Sequence, residues 1–153
     1  MTRGFSYVEV LVAVVVLAGA VLAAAHALGS AREHDAAEAT RRGADALLQD
    51  AITRVRALAR LEAAFPSFGL EAGETVPDDV DDLDGWTENG PTDVSGTTWP
   101  SDWRRVHTVD SVALADPTSV VADGSTSLLR VRIGVAYRGT EVATETLWFA
   151  RTP

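Results

Sequence analysis

The chain has 153 residues and no cysteine. No disulfide can therefore staple an exported domain, and no thiolate is available as a nucleophile or a metal ligand. Lysine is missing too. All 13 basic residues are arginine, set against 22 acids, for a net charge of −9. A general nucleic-acid binder needs a basic footprint, so nucleic acid is not an expected partner. Proline is absent from Phe5 to Phe65, which leaves nothing in that stretch to break a helix. The three histidines, His26, His34 and His107, have no E-x-x-H or H-x-x-x-H spacing. No G-x-S-x-G, P-loop or dinucleotide fingerprint occurs either, so no catalytic residues and no enzyme are expected.

What the sequence does have, at its start, is a long apolar run. From Gly4 to Leu28 it reads GFSYVEVLVAVVVLAGAVLAAAHAL, with one acid, Glu9. About 24 residues at 1.5 Å each reach ~36 Å, enough to cross a hydrocarbon core of ~30 Å. A carboxylate in such a segment costs roughly 2.5–3.5 kcal/mol on insertion scales, so one that persists is expected to have a partner and a purpose.

The order of these features is more specific than any one of them. A short polar leader with one cation (Met1-Thr2-Arg3) is followed by Gly4-Phe5, then by Glu9 at the fifth position counting from Phe5, then by apolar residues only. This pattern resembles the prepilin signal of type IV pilins and type II secretion pseudopilins, and it covers about a sixth of the chain. The resemblance implies that a prepilin peptidase cuts between Gly4 and Phe5, that the new Phe5 amine is N-methylated, and that the helix packs into a filament with Glu9 as its assembly acid. It also implies as partners the other pilin or pseudopilin subunits and an inner-membrane assembly platform. The protein would be a single-pass inner-membrane protein with its C-terminal domain in the periplasm before it enters a filament. Major pilins often carry a kinking proline in the membrane half; this sequence has none there.

Two other readings of the same stretch stand beside it. Met1-Thr2-Arg3 can serve as the n-region of a secretory signal, with Ala23-Ala24-Ala25 as the cleavage site before His26, though Glu9 falls where that signal should be purely apolar. A plain signal anchor with an incidental acid is the other. Arg3 and Arg32 flank the span almost symmetrically, so the positive-inside rule does not choose an orientation.

Beyond the span the helical period continues with mixed charges. At 100° per residue Leu47, Leu48, Ala51, Ile52, Val55, Leu58 and Ala59 share one face, and Arg42, Asp45, Gln49, Thr53, Arg56 and Arg60 the other. Glu38 with Arg42 and Asp50 with Arg54 are acid-first i,i+4 pairs. One helix of about 55 residues, ~80 Å long, is the simplest expectation, with Gly19, Gly29 and Gly43 as its soft points. The expected division is a leader at 1–4, a transmembrane and assembly helix at 5–29, and one periplasmic globular domain at 30–153. Within that domain a helix is expected over 30–62, an acidic loop over 66–100 and a sheet over 103–150.

The loop concentrates Asp78, Asp79, Asp81, Asp82 and Asp84 before Gly85-Trp86. Such a cluster repels itself unless it is solvated or bound to a cation. An EF-hand is excluded, because Val80 stands at its first position and Pro91 at its closing glutamate. A solvated loop and a calcium site held by these five aspartates both remain open; no other cofactor is expected. The phrase Asp79-Val80-Asp81-Asp82-Leu83-Asp84-Gly85-Trp86 is similar to the segment after the long helix in minor pilins of the mannose-sensitive haemagglutinin type.

From Trp103 the period changes to two. Leu129, Val131, Ile133, Val135 and Tyr137 alternate with Leu128, Arg130, Arg132, Gly134 and Ala136. Arg138-Gly139-Thr140 and Asp123-Gly124 supply turns, Val142 to Phe149 a partner strand and Trp103 to Leu114 an earlier one. The expected fold is α+β: one long N-terminal helix packed through Leu48, Ile52 and Val55 on a small antiparallel meander, which is also the pilin-like architecture that the resemblance implies. Trp86, Trp99, Trp103 and Trp148 either pack over this thin sheet or form a binding platform. The functional expectation is a minor pilin or pseudopilin built into, or priming, a type IV pilus-like or type II secretion filament. The alternative is a membrane-anchored or secreted periplasmic module that recognises a surface or ligand through an acidic, Trp-rich face.

Overall fold

With no proline to interrupt it, the first part of the chain folds as one helix, α1 (Tyr7–Leu58). The computed structural model describes residues 6–58, 68–70 and 74–150. Gly4, Phe5, Ala59, the end of the expected helix at residue 62 and the expected stop at Pro66 lie outside them. Four strands follow: β1 (Thr87–Asn89), β2 (Trp103–Ser111), β3 (Leu128–Tyr137) and β4 (Thr140–Ala150). They form one antiparallel sheet in the order β1-β2-β3-β4. Long helix and meander together make the expected α+β fold. By their internal contacts residues 1–39 and 40–153 are two compact units.

In the second unit the helix stripe and the sheet bury the faces that their periods assign. Ala44, Leu47, Leu48, Ala51, Ile52 and Val55 of α1 join Val109, Leu129, Val131, Ile133 and Val135 in one core. Arg42, Asp45, Gln49, Thr53 and Arg56 do not join it. The β-branched alternation of β3 suits a pleated, half-buried surface, and Leu129, Val131 and Val135 stand opposite Phe149, Leu147 and Ala143 of β4. The β3–β4 connection is the two-residue turn Arg138-Gly139, with φ of 50° and 81°. Positive φ at both positions matches the twist of the strands it joins. At Asp123-Gly124 the expected turn is closed by the Ser125 N–H, which donates to the Ala122 carbonyl.

The stretch 66–100 is less irregular than its composition suggests. Its described residues contain a 3-10 turn at Asp81–Leu83 and the short strand β1, paired with β2 from Thr87↔Val106 to Asn89↔Arg104. Thr87-Glu88-Asn89 is too short to show a period; it becomes a strand because the edge of β2 offers it unpaired backbone groups. At the other end of β2 the expected strand to Leu114 stops at Ser111, and Val112 continues only as an isolated bridge to Val120.

Candidate functional site

Within the first unit, α1 leaves its apolar side chains uncovered. Val8, Val10, Leu11, Val12, Val14, Val15, Val16, Leu17, Val21 and Leu22 are all exposed, and the most apolar stretch of α1 is wholly unburied. By length and composition this helix can cross a membrane. A signal sequence and the mostly buried core helix of a soluble protein pass the same test. Glu9 sits in the first turn, where its N–H donates to the Ser6 carbonyl. Its exposed side chain shares a shallow surface with Val10, Ala13, Val14 and Leu17. An acid beside a small residue, inside an apolar stripe, suits contact with another helix better than contact with lipid.

In the second unit the acidic loop divides its carboxylates between two kinds of work. Asp79 Oδ1 accepts the N–H groups of Asp81 and Asp82 at 3.1 and 3.2 Å, closing the 3-10 turn from its start. Asp84 Oδ1 accepts the Val109 N–H at 3.0 Å and fastens the loop to β2. Asp82 Oδ2 accepts the Asp78 N–H at 3.1 Å, while Asp82 Oδ1 is buried with no hydrogen-bond partner. The carboxylates that come together are those of Glu74, Asp78 and Asp82, with one oxygen from each within 4.8 Å of the others. Asp81 is buried in the same turn but is not one of this group. Of the five aspartates expected to share a site, two therefore converge, and Glu74 joins them.

A second charged group spans the helix–sheet interface. Arg105, 1 % exposed on the inner face of β2, donates from Nη1 to Asp50 Oδ2 at 2.7 Å and from Nε to Glu88 Oε2. Asp50 also accepts the Val94 N–H at 2.7 Å and pairs with Arg54 at 3.1 Å, and Arg54 reaches the Thr92 carbonyl. Burial disfavours the Arg105 cation, but its bonds to Glu88 and Asp50 outweigh that and hold its pKa above the ordinary value. Its neighbour His107 has only a weak counterweight: burial first and Arg105 second push its pKa down to about 4. Arg54, Glu88, Arg105 and His107 line a cavity of about 110 Å³ together with Val55 and Trp86.

The tryptophans do not form one face. Trp103 is buried, and Trp86 and Trp99 pack against the core; Trp99 meets Trp103 edge-on at 5.5 Å. Trp148 alone of the four is exposed, at 48 %. Protein-family models, curated proteins and solved structures all fail to match this chain.

Arg105, Asp50 and Glu74 are the site residues that motif reading missed. For Arg105 a signal exists: alternation along β2 puts it on the face of Trp103, His107 and Val109. For Glu74 none does, because only the path of the loop brings it to Asp78.

Proposed function

We propose that this chain is a minor pilin or pseudopilin. It is a structural subunit cut by prepilin peptidase between Gly4 and Phe5, N-methylated at Phe5, and held in the inner membrane by one helix with its C-terminal domain in the periplasm. From there it enters or primes a type IV pilus-like or type II secretion filament, through contacts between its N-terminal helix and those of other subunits. One observation carries this reading: the same unbroken helix exposes apolar residues around a single acid in its first part and supplies the core of an α+β domain in its last. An anchor needs only the apolar part and has no use for Glu9, whereas helix-to-helix assembly uses both.

The test is to express the full chain with and without a prepilin peptidase and to read the N-terminus by mass spectrometry. A mature chain that begins at Phe5 and carries one added methyl group supports the proposal. A start at Met1 would leave a plain anchor and a start at His26 a secreted domain; either outcome overturns it. Gly4→Leu should block cleavage, since the peptidase accepts only a small side chain before the scissile bond.

A further inference from the structure

Asp79, Asp84 and, through Oδ2, Asp82 each spend an oxygen on backbone N–H groups. Asp82 differs in its second oxygen. It is 1 % exposed, and its Oδ1 lies inside the protein without a hydrogen-bond partner. Among the described residues no ion pair reaches Asp78, Asp79 or Asp82. A desolvated carboxylate oxygen is costly unless a hydrogen bond or a cation answers it. The carboxylates of half-buried Glu74 and exposed Asp78 lie beside Asp82, with one oxygen of each of the three within 4.8 Å of the others.

We propose that Glu74, Asp78 and Asp82 form a binding site for a calcium ion. The donor set contains only carboxylate oxygen, which selects a hard cation over zinc or copper. Calcium takes roughly six to eight oxygens in flexible arrangements, while magnesium demands near-octahedral geometry and sheds water reluctantly. A site with one exposed and one half-buried loop carboxylate and one fixed, buried carboxylate meets the first requirement better than the second. Asp79 and Asp84 shape the loop and do not hold the ion. The site rests on the second unit alone and is independent of the proposed assembly role.

The test uses the full chain in detergent micelles, unfolded thermally in CaCl2, MgCl2 or EDTA. Calcium at about 100 times its Kd should raise Tm by on the order of 5–10 °C relative to EDTA, and magnesium at the same concentration by less. Because each change keeps the size of the side chain and neither residue is buried, Glu74→Gln and Asp78→Asn should fold normally yet weaken calcium binding about tenfold or more by calorimetry. Asp79→Asn should lower Tm in EDTA while keeping the calcium increment. An unchanged Tm in calcium overturns the proposal, as does native affinity in Glu74→Gln and Asp78→Asn. Loss of the increment in Asp79→Asn would also overturn it, by placing the ion elsewhere in the loop.

Discussion

The missing side chain of Gly43 is the seat of Trp103: a Cβ built there would stand 2.9 Å from Cη2 and Cζ2 of the indole and 3.2 Å from Trp99. Gly43 is therefore not the soft point that its residue type suggests. The helix runs through it, and the ring closes over the backbone where any other residue would hold it off.

Gly43→Ala should accordingly destabilise the protein. Overpacking costs about 1–3 kcal/mol, against a gain of roughly 1 kcal/mol in helix propensity, so the steric term wins. Gly29, also within α1, has nothing within 4 Å of its Cβ position, and Gly29→Ala should show only the propensity gain. Urea unfolding of the two variants in the same detergent checks the difference in sign. Trp103→Phe should bring the Gly43→Ala penalty close to zero by shortening the ring.

The bond from Arg105 to Asp50 predicts a larger effect. Removing one partner of a buried pair leaves the other charge without compensation, at about 3–5 kcal/mol. Arg105→Met should lose close to that much, because it strands Glu88 and leaves Asp50 with only Arg54 and the Val94 N–H. Asp50→Ala should in addition release the 91–99 loop, whose Val94 N–H it holds, and make that loop the first site of limited proteolysis. Equal protease sensitivity in Arg105→Met and Asp50→Ala would show that the loop is held by the fold as a whole rather than by Asp50.

Where a residue's neighbours are set by its own element's period, the sequence reveals them. Leu47, Leu48, Ala51, Ile52 and Val55 lie on one face at 100° per residue, and Leu129, Val131, Ile133 and Val135 on one face at 180°; both faces form the core. Asp50 shows where this stops. It reads correctly as the i,i+4 partner of Arg54, yet its stronger bond is to Arg105, 55 residues away, and no local rule joins a helix acid to a strand arginine at that distance. β1 is hidden for the same reason, since three residues carry no period and their pairing is decided by β2. In the acidic loop composition brings out the charge, but which carboxylates converge depends on backbone hydrogen bonds that fix Asp79 and Asp84 elsewhere.

His107 makes stability depend on pH in a defined window. Its folded pKa of about 4 lies below its ordinary 6.5, so between these values the unfolded chain binds more protons than the native one. Stability should therefore rise with pH through this interval and be lost as pH falls from about 6.5 toward 4. The full loss approaches about 3 kcal/mol. Tm measured from pH 7 to pH 5 should fall more steeply for the native chain than for His107→Leu, which has no proton to gain. Parallel curves would assign the slope to carboxylates alone.

Glu9 gives the prediction that bears most directly on function. Its place in the first turn of α1, beside Ala13 and within an apolar stripe, puts a carboxylate where lipid solvates it poorly. On the proposed reading, cleavage after Gly4 would create an amine on Phe5, one helical turn from Glu9 in sequence, and the two could pair within the chain. In the proposed filament a neighbouring helix shifted along the axis would instead bring its own Phe5 amine to Glu9, and the pair would set the register, because a misplaced neighbour would leave a buried charge without a partner. Glu9→Val removes the insertion cost and the partner together. The variant should insert and be cut at least as well as the native chain, yet be recruited poorly into assembled filaments. Recovery of Glu9→Val in purified filaments at the native level would rule out the intersubunit pair, leaving the internal salt bridge or an anchor in which the acid has no assembly role.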